Sequence, residues 1–465
     1  MVLKQQSKVI FAEAGKDFVD VLFSFLTLPL GTIASLVRKE SKLQPPEVAL
    51  SSIYQSVENL PRECLRTDTC EEMLLLPRNS MEDFCSSLKI NIDDNEPTHY
   101  FVCNHFQCGY KAPVLISTFK NKSCECGSML EKPISLETSD VFDGFIKSNH
   151  SFMITDDLKV FPNSLDKVVN VLKDSGIRNT SSLSEMTVNI TEIQVVDLFK
   201  FCFCSKTVLT DLFLRELPRD ISHESGRITY WKHKANSCDE IVVKVVLRKS
   251  KGKILLAEGK EDFADLIFSL LTIPLGGALQ LMGGCSYVGS VDGLYKSVVD
   301  LDEHYFTTKE VKNKFVDPLL APQYKLSNLL PLSCDNFPNY FCYLISNGLG
   351  FETCCLTSMY KEDESFSGCV SSKFVDPLSD PSKNGERYIK GPTTYIATDD
   401  LVVTPSSSIS VMSLLISMNI PVADLLEKEV RIGMVEAVLI LQASLTSTSA
   451  LTLGLSHLLT KVKEN

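Results

Sequence analysis

Apolar and polar positions along this chain follow two periodicities, and the same succession of patterns is read twice. Near the start, Phe18, Val21, Leu22 and Phe25 recur at helical spacing while Asp17, Asp20, Ser24 and Thr27 hold the other face, which predicts an amphipathic helix. Pro29 and Gly31 predict its end or a bend. Residues 242–248 are β-branched and apolar, 249–252 form a polar turn closing on Gly252, and 253–258 are apolar again, which predicts a β-hairpin. At the N-terminus only Met1 to Leu3 stand in place of the leading strand, so the first hairpin is expected to be incomplete. Residues 152–154 and 158–160 flank Thr155-Asp156-Asp157, and 395–397 and 401–403 flank Thr398-Asp399-Asp400; both predict tight hairpins. After Pro162 and Pro405, short helices are expected over 165–172 and 411–418, then strands at 188–190 and 430–432, each leading into a long closing helix. Strands and helices mix without regular alternation, so the fold class is α+β, with β-hairpins packed on helices.

Aligning residues 8–31 (KVIFAEAGKDFVDVLFSFLTLPLG) with 253–276 (KILLAEGKEDFADLIFSLLTIPLG) gives identity at 13 of 24 positions, where composition alone gives roughly one or two. A second block matches 145–164 to 388–407, and order and spacing are kept between the blocks. Weaker echoes join Tyr54, Ser56 and Val57 to Tyr295, Ser297 and Val298, and 74–77 to 319–322; 188–214 answers 430–455 at the close. A period near 240 residues is too long for a solenoid. The chain of 465 residues also exceeds what one hydrophobic core commonly fills. It therefore reads as two tandem homologous domains, 1–220 and 241–465, joined by a polar linker over 221–240 that holds Trp231.

Charge and cysteine content narrow the function. Lys plus Arg total 46 against 58 Asp plus Glu, a net charge of -12, divided as -7 through Asp220 and -5 after it. Neither half offers a general cationic field, so a nucleic-acid partner is disfavoured and a protein partner is expected. No residue pattern names a small-molecule ligand. Lys4, Lys8, Glu13, Lys16 and Asp17 interrupt any apolar run of signal-peptide length, so a cytoplasmic or nuclear location is expected. The 16 cysteines are accordingly expected to be thiols or metal ligands. Residues 18–37, 263–282 and 432–460 have the length of a membrane span, but Pro-Leu-Gly breaks the first two and Ser and Thr fill the third; no span is expected.

Cys103, Cys108, Cys124 and Cys126 make the pattern C-x4-C-x15-C-x-C. Four thiolates from two short segments are what a closed tetrahedral zinc site requires, so a zinc-ribbon-like insert is expected at about 100–130 in the first domain. Gly109 and Gly127 follow the second cysteine of each pair, His105 is a substitute ligand, and reduced thiols are the alternative. Four sulfur ligands leave no open position, so such an ion stabilises the fold and does no chemistry. Cys342, Cys354, Cys355 and Cys369 do not reproduce the spacing and read as buried or reduced thiols, and Cys202 and Cys204 as core. Asp17 and Asp20, repeated as Asp262 and Asp265, suit either a cation or acid-base site or, preferably, the first turn of a helix, where carboxylates meet free N–H groups. Asp156-Asp157 and Asp399-Asp400 fit turn chemistry.

No phosphate-cradling glycine loop, H-E-x-x-H or G-x-S-x-G occurs. The leading reading is a non-enzymatic binding or scaffold module with structural zinc. One alternative is an enzyme whose site lies between the units. Another is a zinc-dependent nucleic-acid-binding protein, which would need Lys111, Lys120, Lys122 and Lys132 as a basic patch beside the cysteines.

The two repeated motifs, K-[VI]-x-[LF]-A-E-[AG]-x-x-D-F-x-D-x-[LI]-F-S-[FL]-L-T-[LI]-P-L-G and T-D-D-L-x-V-x-P, strongly resemble the plant family called Domain of Unknown Function 674. The likeness covers nearly the whole chain in two copies and extends to the C-x-C-G-x-M segment at Cys124 to Met129. It implies plant origin and tandem architecture, and it supplies no catalytic residues. The second copy departs from the family in lacking the cysteine pattern.

Overall fold

Strands Ile241–Arg248 and Lys253–Gly259 pair antiparallel around a turn that Gly252 closes at φ 60°, so the hairpin stands where the apolar pattern placed it. The structure is a computed structural model, and it describes all residues except 39–46, 111, 121, 138–142, 216–238, 333–339, 347–351, 358–369, 379–386 and 460–465. The hairpin is the centre of a five-stranded sheet ordered Val403–Pro405, Tyr395–Thr398, Lys253–Gly259, Ile241–Arg248, Leu425–Ile432. The first half has the same order in two pieces. Val160–Pro162, Ser151–Thr155 and Phe11–Gly15 form one three-stranded sheet, and Lys8–Val9, Val2–Leu3 and Leu183–Ser184 form another.

The shortened first strand explains a misplaced expectation. No strand forms over 188–190; the pairing strand is Leu183–Ser184, because the two residues Val2 and Leu3 offer an edge for only two partners. In the second half, Ile241–Arg248 pairs along its whole length with Leu425–Ile432. The expected closing helices are also each divided, into Glu192–Cys204 and Val208–Leu214, and into Met434–Thr446 and Ala450–Gly454. At the first break, Ser205 and Thr207 hydroxyls donate to the Asp211 carboxylate at 2.5 and 3.1 Å. Local side-chain bonding of this kind competes with helix continuation. Among the described residues no helix is long and apolar enough to cross a membrane.

Helix Lys16–Ser24 ends in a 3-10 turn, Phe25–Thr27, and Pro29 then leads into a second helix, Leu30–Arg38. The second half repeats this as Glu261–Ser269, Leu270–Thr272 and Leu275–Leu281. A helix start leaves backbone N–H groups without intrahelical partners. Here each copy supplies the other's: Leu30 N–H donates to the Ile273 carbonyl and Leu275 N–H to the Leu28 carbonyl, both at 2.9 Å, with Pro29 opposite Pro274. Gly31 permits the close approach behind this contact, since a Cβ there would stand 2.9 Å from both the Leu74 carbonyl oxygen and Pro77 Cγ.

Further contacts between the halves are reciprocal. Val160 N–H donates to Ser297 Oγ and Val403 N–H to Ser56 Oγ, both at 2.9 Å. Residues 64–66 bridge to 388–390 as 145–147 bridge to 305–307. The largest exchange is a closed barrel of six strands. Tyr100–Cys103 lies between Val114–Ser117 and Met129–Glu137, and Phe341–Ser346 lies between Glu352–Thr357 and Val370–Phe374, antiparallel throughout. Two parallel seams, Val370–Phe374 with Val114–Ser117 and Glu352–Thr357 with Met129–Glu137, join the two triplets. Val102, Val114, Ile116, Ile134, Cys342 and Leu356 fill the interior. Beneath it one hydrophobic cluster runs through both halves, from Val9 to Leu455. The fold is thus mixed α+β, as the patterning indicated.

Two outcomes follow from the interlocking. A chain cut at a protease site introduced within 221–240 is expected to elute in size-exclusion chromatography as one species of the uncut mass, 51.7 kDa; two separated fragments would contradict the exchange. Gly31→Ala, which would favour an ordinary helix by up to ~1 kcal/mol, is expected instead to lower stability by about 1–3 kcal/mol through overpacking, measured by urea denaturation.

Candidate functional site

Strand Tyr100–Cys103 ends on the first of the four cysteines, and the 3-10 turn Phe106–Tyr110 carries the second. Cys124 follows strand Lys122–Ser123, and Cys126 sits in the turn before strand Met129–Glu137. Both turns are held by their own backbones: Cys108 N–H donates to the His105 carbonyl at 3.0 Å and Gly127 N–H to the Cys124 carbonyl at 2.9 Å. Gly127 adopts φ 85°, a left-handed conformation that glycine takes at no steric cost.

These turns bring the four sulfurs within 4.8 Å of one another. Cys103 Sγ lies 3.5 Å from Cys126 Sγ, and Cys108 Sγ lies 3.8 Å from Cys124 Sγ. A tetrahedron with metal–sulfur bonds of about 2.3 Å has edges of about 3.8 Å, so the four cysteines lie close enough to bind a metal ion. Cys103 and Cys124 are buried and Cys126 is exposed. The Ser128 backbone N–H draws the Cys126 thiol down to about 6, whereas burial, then the neighbouring thiols, pushes Cys108 up to about 12. His105 is outside the cluster as a side chain; its backbone N–H donates to Cys103 Sγ at 3.4 Å, the type of outer contact that orients a metal ligand.

The remaining cysteines divide as expected where they are described. Cys342 and Cys355 are buried on neighbouring barrel strands, and Cys202 is buried in Glu192–Cys204 with Cys204 half-buried beside it. Cys369 and the side chain of Cys354 lie outside the described residues. Of the lysines that a nucleic-acid patch would need, Lys111 also lies outside them. Lys120 Nζ sits 5.6 Å over the Phe101 ring and Lys122 Nζ donates to the Pro377 carbonyl, while Lys132 is exposed.

The aspartate pairs need a correction. Asp17 and Asp262 occupy first turns of helices, as expected. Asp20 and Asp265 lie one turn further on, are buried, and serve another segment. Asp20 Oδ1 accepts from Phe145 and Ile146 N–H at 3.0 and 2.9 Å, and Asp265 Oδ1 accepts from Tyr388 and Ile389 N–H at 2.7 and 3.4 Å. Lys16 Nζ also reaches Asp20 Oδ2 at 2.7 Å. Burial is the main cause that raises both carboxyls to about 6. Asp157 and Asp400 accept from the Thr155 and Thr398 hydroxyls inside their turns, at 2.6 and 2.5 Å, which is the expected turn chemistry. Asp156 and Asp399 do something the pattern gave no sign of: they hold helices Val208–Leu214 and Ala450–Gly454 by accepting from Thr210 N–H at 2.8 Å and Thr452 N–H at 2.7 Å. Leu158 and Leu401 take φ 59° and 62° and are fully buried, so packing holds leucine where glycine is usual.

For Asp265 the pH dependence has a definite sign. Its carboxyl titrates near 6 when folded against 3.8 ordinarily, so its contribution to stability is fully present below the unfolded value and is lost as pH rises through about 6. The full difference is roughly 3 kcal/mol. Denaturation of wild type and Asp265→Asn between pH 4 and 7 is expected to show the wild type losing stability relative to the variant as pH rises; a pH-independent difference would refute this assignment.

No curated protein and no solved structure matches the chain. A family described as "Protein of unknown function (DUF674)" matches residues 1–435. That match spans well over half of the 465 residues, and the chain belongs to this family.

Proposed function

We propose that this is an intracellular plant protein, cytoplasmic or nuclear, built of two homologous units, 1–220 and 241–465, that works without catalysis as a binding or scaffold module. Cys103, Cys108, Cys124 and Cys126 hold one structural zinc ion in the first unit. The observation that carries the reading is the convergence of the four sulfurs within 4.8 Å. An all-thiolate, tetrahedral donor set selects zinc over harder divalent ions. With four protein ligands there is no position for a reactive water, so the ion ties the turns at one end of the barrel strands together. The recurrence of strand order in the two halves supports the reading of two homologous units.

A second reading, an enzyme with its site between the units, draws support from a cleft of about 390 Å³ lined by residues of both halves, among them Arg78, Asp83 and Tyr340.

Purified protein is expected to carry about one zinc per chain by mass spectrometry of the metal, and cobalt substitution to give the visible absorption of tetrahedral thiolate coordination. Chelation should lower the melting temperature, because an ion held only by the folded chain adds its binding free energy to folding. Cys124→Ser should lose the metal and Cys342→Ser should keep it. Protein with far less than one metal ion per chain, and a melting temperature indifferent to chelator, would overturn the proposal.

A further inference from the structure

Opposite the four cysteines, the barrel opens on a cleft of about 390 Å³. The strand that ends on Cys103 begins at Tyr100, and its neighbour Met129–Glu137 runs the other way, to Ile134, Ser135 and Leu136 at the cleft. Ala321, Pro322 and Tyr340 enter from the second half, and the segment from Arg78 to Asp83 closes the first-half side. A smaller cavity of about 140 Å³ adjoins it, sharing Arg78, Asn79 and Glu82. The larger volume lies within the usual range for small-molecule sites, and the mouth of a barrel is a usual place for one.

Charge and satisfaction decide what such a site would take. Arg78 is committed: its guanidinium donates to Thr98 Oγ1, Glu72 and the Thr118 carbonyl, and lies over the Phe119 ring. Glu82 is committed too, accepting from Thr98 N–H at 2.7 Å and Thr98 Oγ1 at 2.5 Å. Asp83 differs. Its side chain is exposed, and among the described residues its carboxylate makes no hydrogen bond and no ion pair; partial burial, then the charge of Glu82, raises its pKa against the opposing charge of Lys314. It acts electrostatically on both Tyr100 and Tyr340, whose rings stand 6.2 Å apart between centroids. Glu82 and Asp83 against Arg78 leave the lining itself with one excess negative charge, on which Lys314, outside the lining, acts through its own charge.

The two carboxylates are particular to the first half. Matching 74–77 to 319–322 places Ser327 and Asn328 where the first copy has Glu82 and Asp83. The first half has the short helix Glu82–Cys85 at this point, and residues 327–330 form no helix.

We infer that this cleft binds a small organic monocation, an amine whose ammonium group pairs with Asp83 and whose apolar body lies against Tyr100, Tyr340 and Ile134. Aromatic surface beside a carboxylate is favourable for an ammonium group, by cation–π attraction as well as by charge. The inference is independent of the metal at the far end of the barrel and holds for a binding module or an enzyme alike.

The test uses the full-length, metal-loaded protein and three probes of one shape: phenethylamine, 2-phenylethanol and phenylacetate, titrated by calorimetry. Phenethylamine is expected to bind, the alcohol about tenfold more weakly or worse, and the carboxylate not at all. Asp83→Asn should cost phenethylamine about tenfold in affinity and leave the weak alcohol binding unchanged. Tyr340→Leu should weaken both ligands, and Asp262→Asn, outside the cleft, neither. Melting temperatures of the variants show that each is folded. Absence of phenethylamine binding, equal binding of the neutral or anionic probe, or an Asp83→Asn variant that binds the amine as wild type does would each overturn the inference.

Discussion

Two backbone hydrogen bonds, Leu30 to Ile273 and Leu275 to Leu28, fix how the halves of this chain sit together. Each is worth only about 1 kcal/mol net, but an unmet buried N–H costs about as much or more. Neither helix start is complete without the other copy. The Pro-Leu-Gly sequence suits the job by chemistry. Proline opens a helix without needing a donor, leucine brings the N–H that crosses, and Gly31 lets Leu74 and Pro77 close in behind. With the helix starts locked face to face, the chain leaving each must run over the opposite half. That geometry accounts for the paired Ser56 and Ser297 contacts and for the mixed parentage of the barrel.

Buried carboxylates then tie distant parts of each half into this frame. The motif around Asp20 and the Phe145-Ile146 segment look like independent signatures in the sequence, yet they are the two sides of one contact. The same holds for Asp156 and Thr210, where a turn aspartate anchors the final helix of the half. Desolvation makes these aspartates costly at neutral pH, and the costs are offset by the N–H groups they satisfy and, for Asp20, by the Lys16 ammonium. On this frame the barrel is unequal at its two ends, with four thiols at one and an acidic, aromatic-walled cleft at the other. Both features belong mainly to the first copy.

Local signals were legible where local physics decides. The 241–259 hairpin, the Thr-Asp-Asp turns, the short helices after Pro162 and Pro405 and the grouping of Cys103, Cys108, Cys124 and Cys126 could all be read from periodicity, turn chemistry and spacing. What escaped depends on partners far along the chain. The two parallel seams pair strands more than 200 residues apart, and nothing in either strand specifies a parallel neighbour. The missing strand at 188–190 follows from a two-residue partner at the other end of the half. The split in the closing helix was signalled by Ser205-Lys206-Thr207, whose hydroxyls turn to Asp211, but apolar periodicity on either side masked it. For the cleft, the one available cue was a difference between copies, Glu82-Asp83 against Ser327-Asn328, in a region where the repeat is weak.

The parallel seams also set a schedule for synthesis. When strands Val114–Ser117 and Met129–Glu137 leave the ribosome, each has one edge whose partner, Val370–Phe374 or Glu352–Thr357, lies more than 200 residues downstream. At elongation rates of about 5–20 residues per second, those edges wait for roughly ten seconds or longer. Unpaired strand edges are templates for pairing with other chains, and contacts this remote in sequence form slowly. Nascent chains of this protein therefore pass through an obligatory interval in which half of an unfinished barrel is exposed, and the strongest demand for chaperone protection falls midway through translation.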